Sequence, residues 1–284
     1  MTKLYDYTGR ELDIGGSVVD YDTYIKSVCH RGYDTQGSNP MCPENTLPAY
    51  VVARSRGFNY VETDISFTSD GVAVLLHDAS INRTARNMDG SQISGTVNIN
   101  SITYEQALGY DFGIYAGAEW AGTPIPTVTQ FLDLCKALTL KPYLELKDNG
   151  NYTQSQINGI IDNVQNHSMI KDVTFISFSS TYLEWVVSYN SSIRVGFLKS
   201  ASTASDISVC NSLKTTNNEV FYDTKYSNVT DAICQSYATA NIPIEIWTVD
   251  SEDYISSMNR YISGVTSNKI IAGKALYDEV MGVG

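Results

Sequence analysis

Eight short β-rich runs, each leading into a segment of helical periodicity, constrain the fold of this chain more than any other feature. They are Ser27–His30, Tyr60–Phe67, Tyr143–Lys147, Val173–Phe178, Arg194–Leu198, Glu219–Tyr222, Ile244–Val249 and Ser263–Ser267. A strand that feeds a helix and then another strand builds a parallel sheet with crossover helices. Eight such units in about 250 residues are what a (β/α)8 TIM barrel needs, whereas a doubly wound sheet has fewer strands and a glycine-rich first turn. The sequence has neither GxGxxG nor a P-loop. The helix signals agree: Val128, Phe131, Leu132, Cys135 and Leu138 recur at helical spacing after Pro126-Thr127, and Thr46-Leu47-Pro48 opens a helix that Gly57 closes.

Two parts fall outside the repeat. Residues 1–24 read as a leader or a linker, which leaves 25–284 as the barrel domain. Residues 78–123, rich in Gly, Asn and aromatic side chains, are too long for an ordinary loop and read as an insertion over the barrel mouth after the second strand. Within it Tyr110, Phe112, Tyr115 and Trp120 are expected to form a small aromatic face.

The net charge of −12 excludes nucleic acid and anionic lipid as natural partners, because an acidic surface is repelled by a polyanion. A phosphate substrate therefore needs a cation to help hold it. No run reaches the roughly 18 to 20 apolar residues of a membrane span, and Met1–Arg10 lacks the order of a signal peptide. The chain reads as soluble, with a cytoplasmic or exported location both open. Cys29, Cys42, Cys135, Cys210 and Cys234 are odd in number and lack a CxxC pair, which reads as buried thiols.

Side-chain alternation locates the chemistry. In Tyr60–Phe67, Val61, Thr63, Ile65 and Phe67 share one face and Glu62 and Asp64 the other. Helices cover the outside of a barrel, so the carboxylates point inward. In Tyr143–Lys147 the leucines go outward while Glu145 and Lys147 face inward. Three buried carboxylates are costly without compensation, and Lys147 is expected to neutralise only one of them. Either an ion-pair network around Lys147 or a bound cation meets that need. An all-oxygen set suits Mg²⁺ or Ca²⁺ better than Zn²⁺. Of three histidines, His30 and His77 end strand-like runs, where barrel active sites sit, and two histidines can divide proton transfer between them. His167 follows a helical run and reads as a helix-end residue.

The ordered motifs His30-Arg31-Gly32, Pro43-Glu44-Asn45-Thr46, Glu62-x-Asp64, Thr68-x-Asp70-Gly71, His77-Asp78 and Asn82-Arg83-Thr84 resemble the signature of the glycerophosphodiester phosphodiesterases. The likeness continues through Ile125-Pro126-Thr127, Leu144-Glu145-Leu146-Lys147, Ser177-Phe178 and Trp247-Thr248-Val249, and so covers roughly residues 25–275. It implies a TIM barrel and metal-dependent hydrolysis of a glycerophosphodiester, a reaction of lipid metabolism. It also implies that Glu62, Asp64 and Glu145 bind one divalent cation, that Arg31 and Lys147 engage phosphate, and that His30 and His77 are the acid/base pair. In the family the Trp at the position of Trp247 lines the substrate cleft, although ordinary core packing explains it equally well.

Two departures bear on substrate preference. Thr266-Ser267-Asn268-Lys269 replaces a Thr-Asp-x-Pro-like end of the last strand, and Asp34–Cys42 forms an unusually long loop expected to border the site. Two other functions share these features. One is hydrolysis of polyglycerol-phosphate teichoic acid in an extracellular or phage-tail setting, and the other is an inactive surface-binding barrel.

Overall fold

In the computed structural model, residues 25–281 are described apart from 34, 37–38, 41, 148–150, 202, 204 and 260. The suggested leader 1–24 and much of the Asp34–Cys42 loop lie outside the described residues. Eight parallel strands close on themselves: β1 (Lys26–Cys29), β2 (Tyr60–Phe67), β3 (Lys141–Leu146), β4 (Thr174–Ser177), β5 (Arg194–Lys199), β6 (Val220–Lys225), β7 (Ile244–Trp247) and β8 (Ile262–Ser267). Strand β1 pairs with both β2 and β8, so the sheet is a (β/α)8 barrel. Each expected run is a strand, with ends moved by a few residues. Among the described residues, no helix is long and apolar enough to cross a membrane.

The outer ring comprises α1 (Leu47–Ser55), α2 (Val128–Leu138), α3 (Gln154–Asn166), α4 (Ser180–Tyr189), α5 (Asp206–Leu213), α6 (Asp231–Thr239), α7 (Glu252–Ser257) and α8 (Ala272–Met281). Helix α2 shows why these segments are helical. The Thr127 hydroxyl accepts from the Gln130 N–H at 3.2 Å while Gln130 Oε1 accepts from the Thr127 N–H at 2.9 Å, a reciprocal cap worth about 1 kcal/mol. Behind the cap, Val128, Phe131, Leu132 and Cys135 bury one stripe against the outward faces of β2 and β3. His167 caps the C-terminus of α3, as its position suggests. Cys135, Cys210 and Cys234 are buried thiols, and burial pushes Cys210 up to about 12 and Cys234 to about 11.

The barrel interior is filled from below. Val28, Tyr143, Ile176, Leu198 and Phe221 pack together inside the strands. Gly196 makes this possible, because a Cβ there would sit 2.2 Å from the Phe221 ring. Beneath them the Arg194 guanidinium lies 4.0 Å over Phe221 and donates to Glu245 at 2.6 Å, Glu219 at 2.6 Å and the Tyr143 hydroxyl at 2.7 Å. Removing one partner of a buried ion pair leaves the other charge uncompensated. Arg194→Ala is therefore expected to cost about 3 to 5 kcal/mol in urea unfolding, at the lower end because Lys26 stays 3.4 Å from Glu245. An unmoved midpoint would show that the network contributes nothing to stability.

Residues 76–127 between β2 and α2 carry a small core of their own, in which Leu76, Ile81, Ala85, Ile99, Phe112 and Ile125 are buried together. That core corrects the expected aromatic face. Phe112 is 3% exposed and so is not presented to a ligand, and Tyr110, though only partly buried, packs against the same cluster.

Candidate active site

The C-terminal ends of β1, β2 and β3 bring one residue set together. Strand β1 is followed directly by His30 and a tight turn in which Arg31 has φ 53° and Gly32 φ 79°. A Cβ on Gly32 would lie 2.6 Å from the Ala49 Cβ, so only glycine lets this turn pass under α1. The turn is tied on both sides. The Arg31 N–H donates to Glu62 Oε2 at 2.9 Å, and its carbonyl accepts from the Asn45 N–H at 2.9 Å.

Register Asp64↔Glu145 between β2 and β3 sets the carboxylates side by side. One oxygen each from Glu62, Asp64 and Glu145 lies within 4.8 Å of the others. Lys147 Nζ stands 3.2 Å from Asp64 and 3.0 Å from Glu145. This corrects the expectation of a single partner: following a strand end, the ammonium reaches two carboxylates at once. Arg31 Nε is 3.3 Å from Asp64 and its Nη1 3.1 Å from Glu44. Asn45 Nδ2 donates to Asp64 at 2.9 Å.

Burial and the neighbouring Asp64 and Glu145 carboxylates push Glu62 well above the usual carboxylate range. Burial and Asp64 push Glu145 up to about 7 against the pull of Lys147. For Asp64 the burial opposes ionisation, but Arg31 and Lys147 outweigh it and hold the group below its ordinary value. Two carboxyls of three thus favour a proton over a bare charge. Glu62 Oε1 is buried with no hydrogen-bond partner among the described residues. A hard divalent cation fits this donor set of clustered, incompletely satisfied carboxylate oxygens.

The two histidines sit on different kinds of element. His77 does not end a barrel strand, as its run suggested; it follows Ala73–Leu75, which pairs antiparallel with β2 and lies outside the eight. The return of that hairpin delivers it to the same cavity as His30. His77 Nδ1 meets Asp78 Oδ1 at 2.6 Å, and Asp78 Oδ2 accepts from Arg83 Nε at 2.6 Å. Arg83 continues to Glu44 through 2.6 and 2.7 Å bonds. His30 Nδ1 meets Asn268 Oδ1 at 2.8 Å, and its Nε2 is 4.0 Å from Glu62. An amide oxygen and a carboxylate both accept, so each ring carries its proton on Nδ1 and leaves Nε2 for the cavity. Burial, then Arg31, pushes His30 down to about 4.

Asn268 occupies the departure at the end of β8, and the structure explains how the loop is held. Asp250, after β7, accepts from the Ser267 hydroxyl at 2.8 Å and from Asn268 Nδ2 at 2.6 Å. That fixes the face of the amide turned to His30. Asp250 escapes sequence reasoning because the motif Trp247-Thr248-Val249 stops one residue before it.

The cavity of about 230 Å³ is lined on one side by His30, Arg31, Glu62, His77, Glu145 and Lys147. Across from these, Ile176, Phe178, Leu198 and Trp247 form an apolar wall that also contains Asp223. Trp247 packs edge-on against Phe178 at 5.8 Å. Asp223 is a second residue that sequence reasoning misses. The expected sixth strand stops at Tyr222, whereas β6 runs to Lys225 and its alternation turns Phe221 and Asp223 inward.

The model of the glycerophosphoryl diester phosphodiesterase family matches residues 30–271. A glycerophosphodiester phosphodiesterase of Caldanaerobacter subterraneus subsp. tengcongensis is 22% identical over 231 residues, 81% of this chain and 88% of that protein. Glycerophosphodiester phosphodiesterase 1 of Rattus norvegicus is 30% identical over 151 residues, 51% of this chain and 42% of the rat protein. A phosphodiesterase of Oleispira antarctica, solved in complex with the product sn-glycerol-3-phosphate, superposes with a TM-score of 0.77 at 21% identity, over 91% of this chain and 99% of that one. At that identity the likeness carries the fold.

Proposed function

The chain belongs to the glycerophosphoryl diester phosphodiesterase family, and from that premise we propose that it hydrolyses a glycerophosphodiester to glycerol 3-phosphate and an alcohol, using His30 and His77 as its acid/base pair. The observation that carries this reading is one cavity lined by Glu62, Glu145 and two histidines that each turn Nε2 to it, with Asp64 completing the carboxylate cluster just behind.

A divalent cation, Mg²⁺ or Ca²⁺, held by Glu62, Asp64 and Glu145 would stabilise charge on the phosphoryl oxygens. The chain's own residues do the rest. Arg31, with its planar fork of donors, and Lys147 exchange part of their carboxylate contacts for phosphate oxygens when substrate arrives. His30 is neutral at pH 7, because burial and Arg31 oppose its protonation, so Nε2 can take the proton from the attacking oxygen as the new O–P bond forms. His77, with its Nδ1–H held by Asp78, acts as imidazolium in this step: it carries a second proton on Nε2 and gives that proton to the departing alkoxide as the old P–O bond breaks. The indole of Trp247 shapes the wall opposite the phosphate.

The cavity size supports a small or terminal glycerol phosphate group over a diacyl lipid. Each methylene is worth only about 0.8 kcal/mol and must leave water, and this cavity has no room for two acyl chains. Glycerol 3-phosphate release is to be compared across glycerophosphocholine, polyglycerol phosphate and dispersed phosphatidylcholine with one cation. The deacylated diester is expected to exceed the lipid by about a hundredfold or more in kcat/KM. Preference for the lipid would overturn the substrate reading, strong preference for the polymer would favour teichoic acid, and release from none would leave a binding barrel.

A further inference from the structure

The apolar wall of the cavity holds a polar pair that hydrolysis at phosphorus does not use. Asp223 projects from the middle of β6, is 2% exposed, and its Oδ1 has no hydrogen-bond partner among the described residues. Trp247 Nε1, on the neighbouring strand, is likewise buried and unpartnered. Both side chains line the same cavity as Glu62 and Glu145, yet Asp223 is not part of the carboxylate trio. Leaving a buried donor and a buried acceptor unsatisfied is unfavourable, so such atoms facing one cavity point to a ligand that completes them.

We infer that Asp223 is a specificity-determining residue that binds a hydroxyl of the substrate's glycerol unit, with the Trp247 N–H completing the contact. A hydroxyl is the small group that suits both partners, since it accepts from the indole N–H and still exchanges a second hydrogen bond with the carboxyl. The phosphate belongs to the opposite side of the cavity, where Arg31 and Lys147 stand. A glycerol carbon chain against Phe178 and Leu198 spans the two. Burial, together with the Glu245 and Glu145 carboxylates and against the pull of Arg194, raises the Asp223 carboxyl well above its ordinary range. That direction favours the neutral acid, which does not repel the phosphodiester and offers both an O–H and a carbonyl oxygen.

This inference rests on the proposed hydrolysis of glycerophosphodiesters, and the test separates the two. Binding of glycerol 3-phosphate and of ethyl phosphate, which carries the same phosphate and no hydroxyl, is to be measured by calorimetry on the cation-loaded protein. Asp223→Ala is expected to weaken glycerol 3-phosphate about tenfold or more and to leave ethyl phosphate within about twofold, with Asp223→Asn restoring part of the loss. Removing an unpartnered buried acid relieves desolvation, so both variants should fold, which thermal melting checks. Equal weakening of both ligands, no weakening of either, or a loss of cation affinity in Asp223→Ala would overturn the assignment while hydrolysis by the unaltered protein stands. An unaltered protein inert toward every glycerophosphodiester would remove the reading beneath it.

Discussion

Alanine at either His30 or His77 is expected to lower kcat by about 10² to 10⁴, with the double variant no worse than the product of the two losses. The size follows from the geometry. Each imidazole is held by its Nδ1, through Asn268 in one case and Asp78 in the other, so Nε2 is aimed before substrate arrives and its loss is not made good by a mobile neighbour. Neither ring contributes to the main core, and the fold should survive. His167→Ala is the control. That ring bonds the Asn163 carbonyl at 2.7 Å and Asp133 at 3.2 Å on the outer face of the barrel, and its removal should leave kcat unchanged. Steady-state rates at saturating glycerophosphocholine decide the matter, and equal losses at all three positions would contradict the assigned roles.

Chelation is expected to abolish turnover, with Mg²⁺ or Ca²⁺ restoring it, and full activity after verified cation removal would sink the assignment of Glu62, Asp64 and Glu145. Glu145→Ala should lose the ion and keep the fold, since Lys147 still meets Asp64 at 3.2 Å. The pH dependence has a definite sign. Glu62 and Glu145 are raised in the folded protein, Glu145 to about 7, so without cation the folded state binds more protons than the unfolded one as pH climbs from the ordinary carboxylate range toward 7. Their contribution to stability is present at low pH and lost on the way up. A cation displaces those protons, so its affinity falls as pH is lowered through about 7. The rise in Tm on adding cation should therefore be larger at pH 8 than at pH 5, and absent in Glu145→Ala. A shift of equal size at both values would mean that the carboxylates are already ionised when the ion arrives.

The barrel and most of this site are legible in the sequence for a simple reason: period-two alternation on a strand covered by helices sorts side chains by face without any knowledge of long-range contacts. Glu62, Asp64 and Glu145 follow from that rule. His77 reaches the cavity by another route, because a short apolar run beside a histidine looks the same whether it joins the barrel or folds back antiparallel on β2. The reach of Lys147 to two carboxylates depends on the β2–β3 register, which no local pattern contains. Asp223 and Asp250 each lie one residue beyond a stretch that was readable. In the Asp250–Asn268–His30 chain, the His30–Asn268 contact joins residues 238 apart, a contact only the closed sheet creates.

The packed lower half of the barrel has a further consequence. Among the described residues, Tyr143 and Phe221 fill the interior and Arg194 lies beneath them, so the chamber above is closed at its lower end. Under the proposed hydrolysis, reactant and both products therefore do not cross the barrel floor but exchange on the side of the mouth. If the glycerol phosphate half is the one seated deepest, as the proposed hydrolysis places it, the freed alcohol departs first and glycerol 3-phosphate follows. Depth in a blind chamber, rather than relative affinity, then fixes the sequence of departure, and a long polymer can be shortened only from a terminus that fits inside.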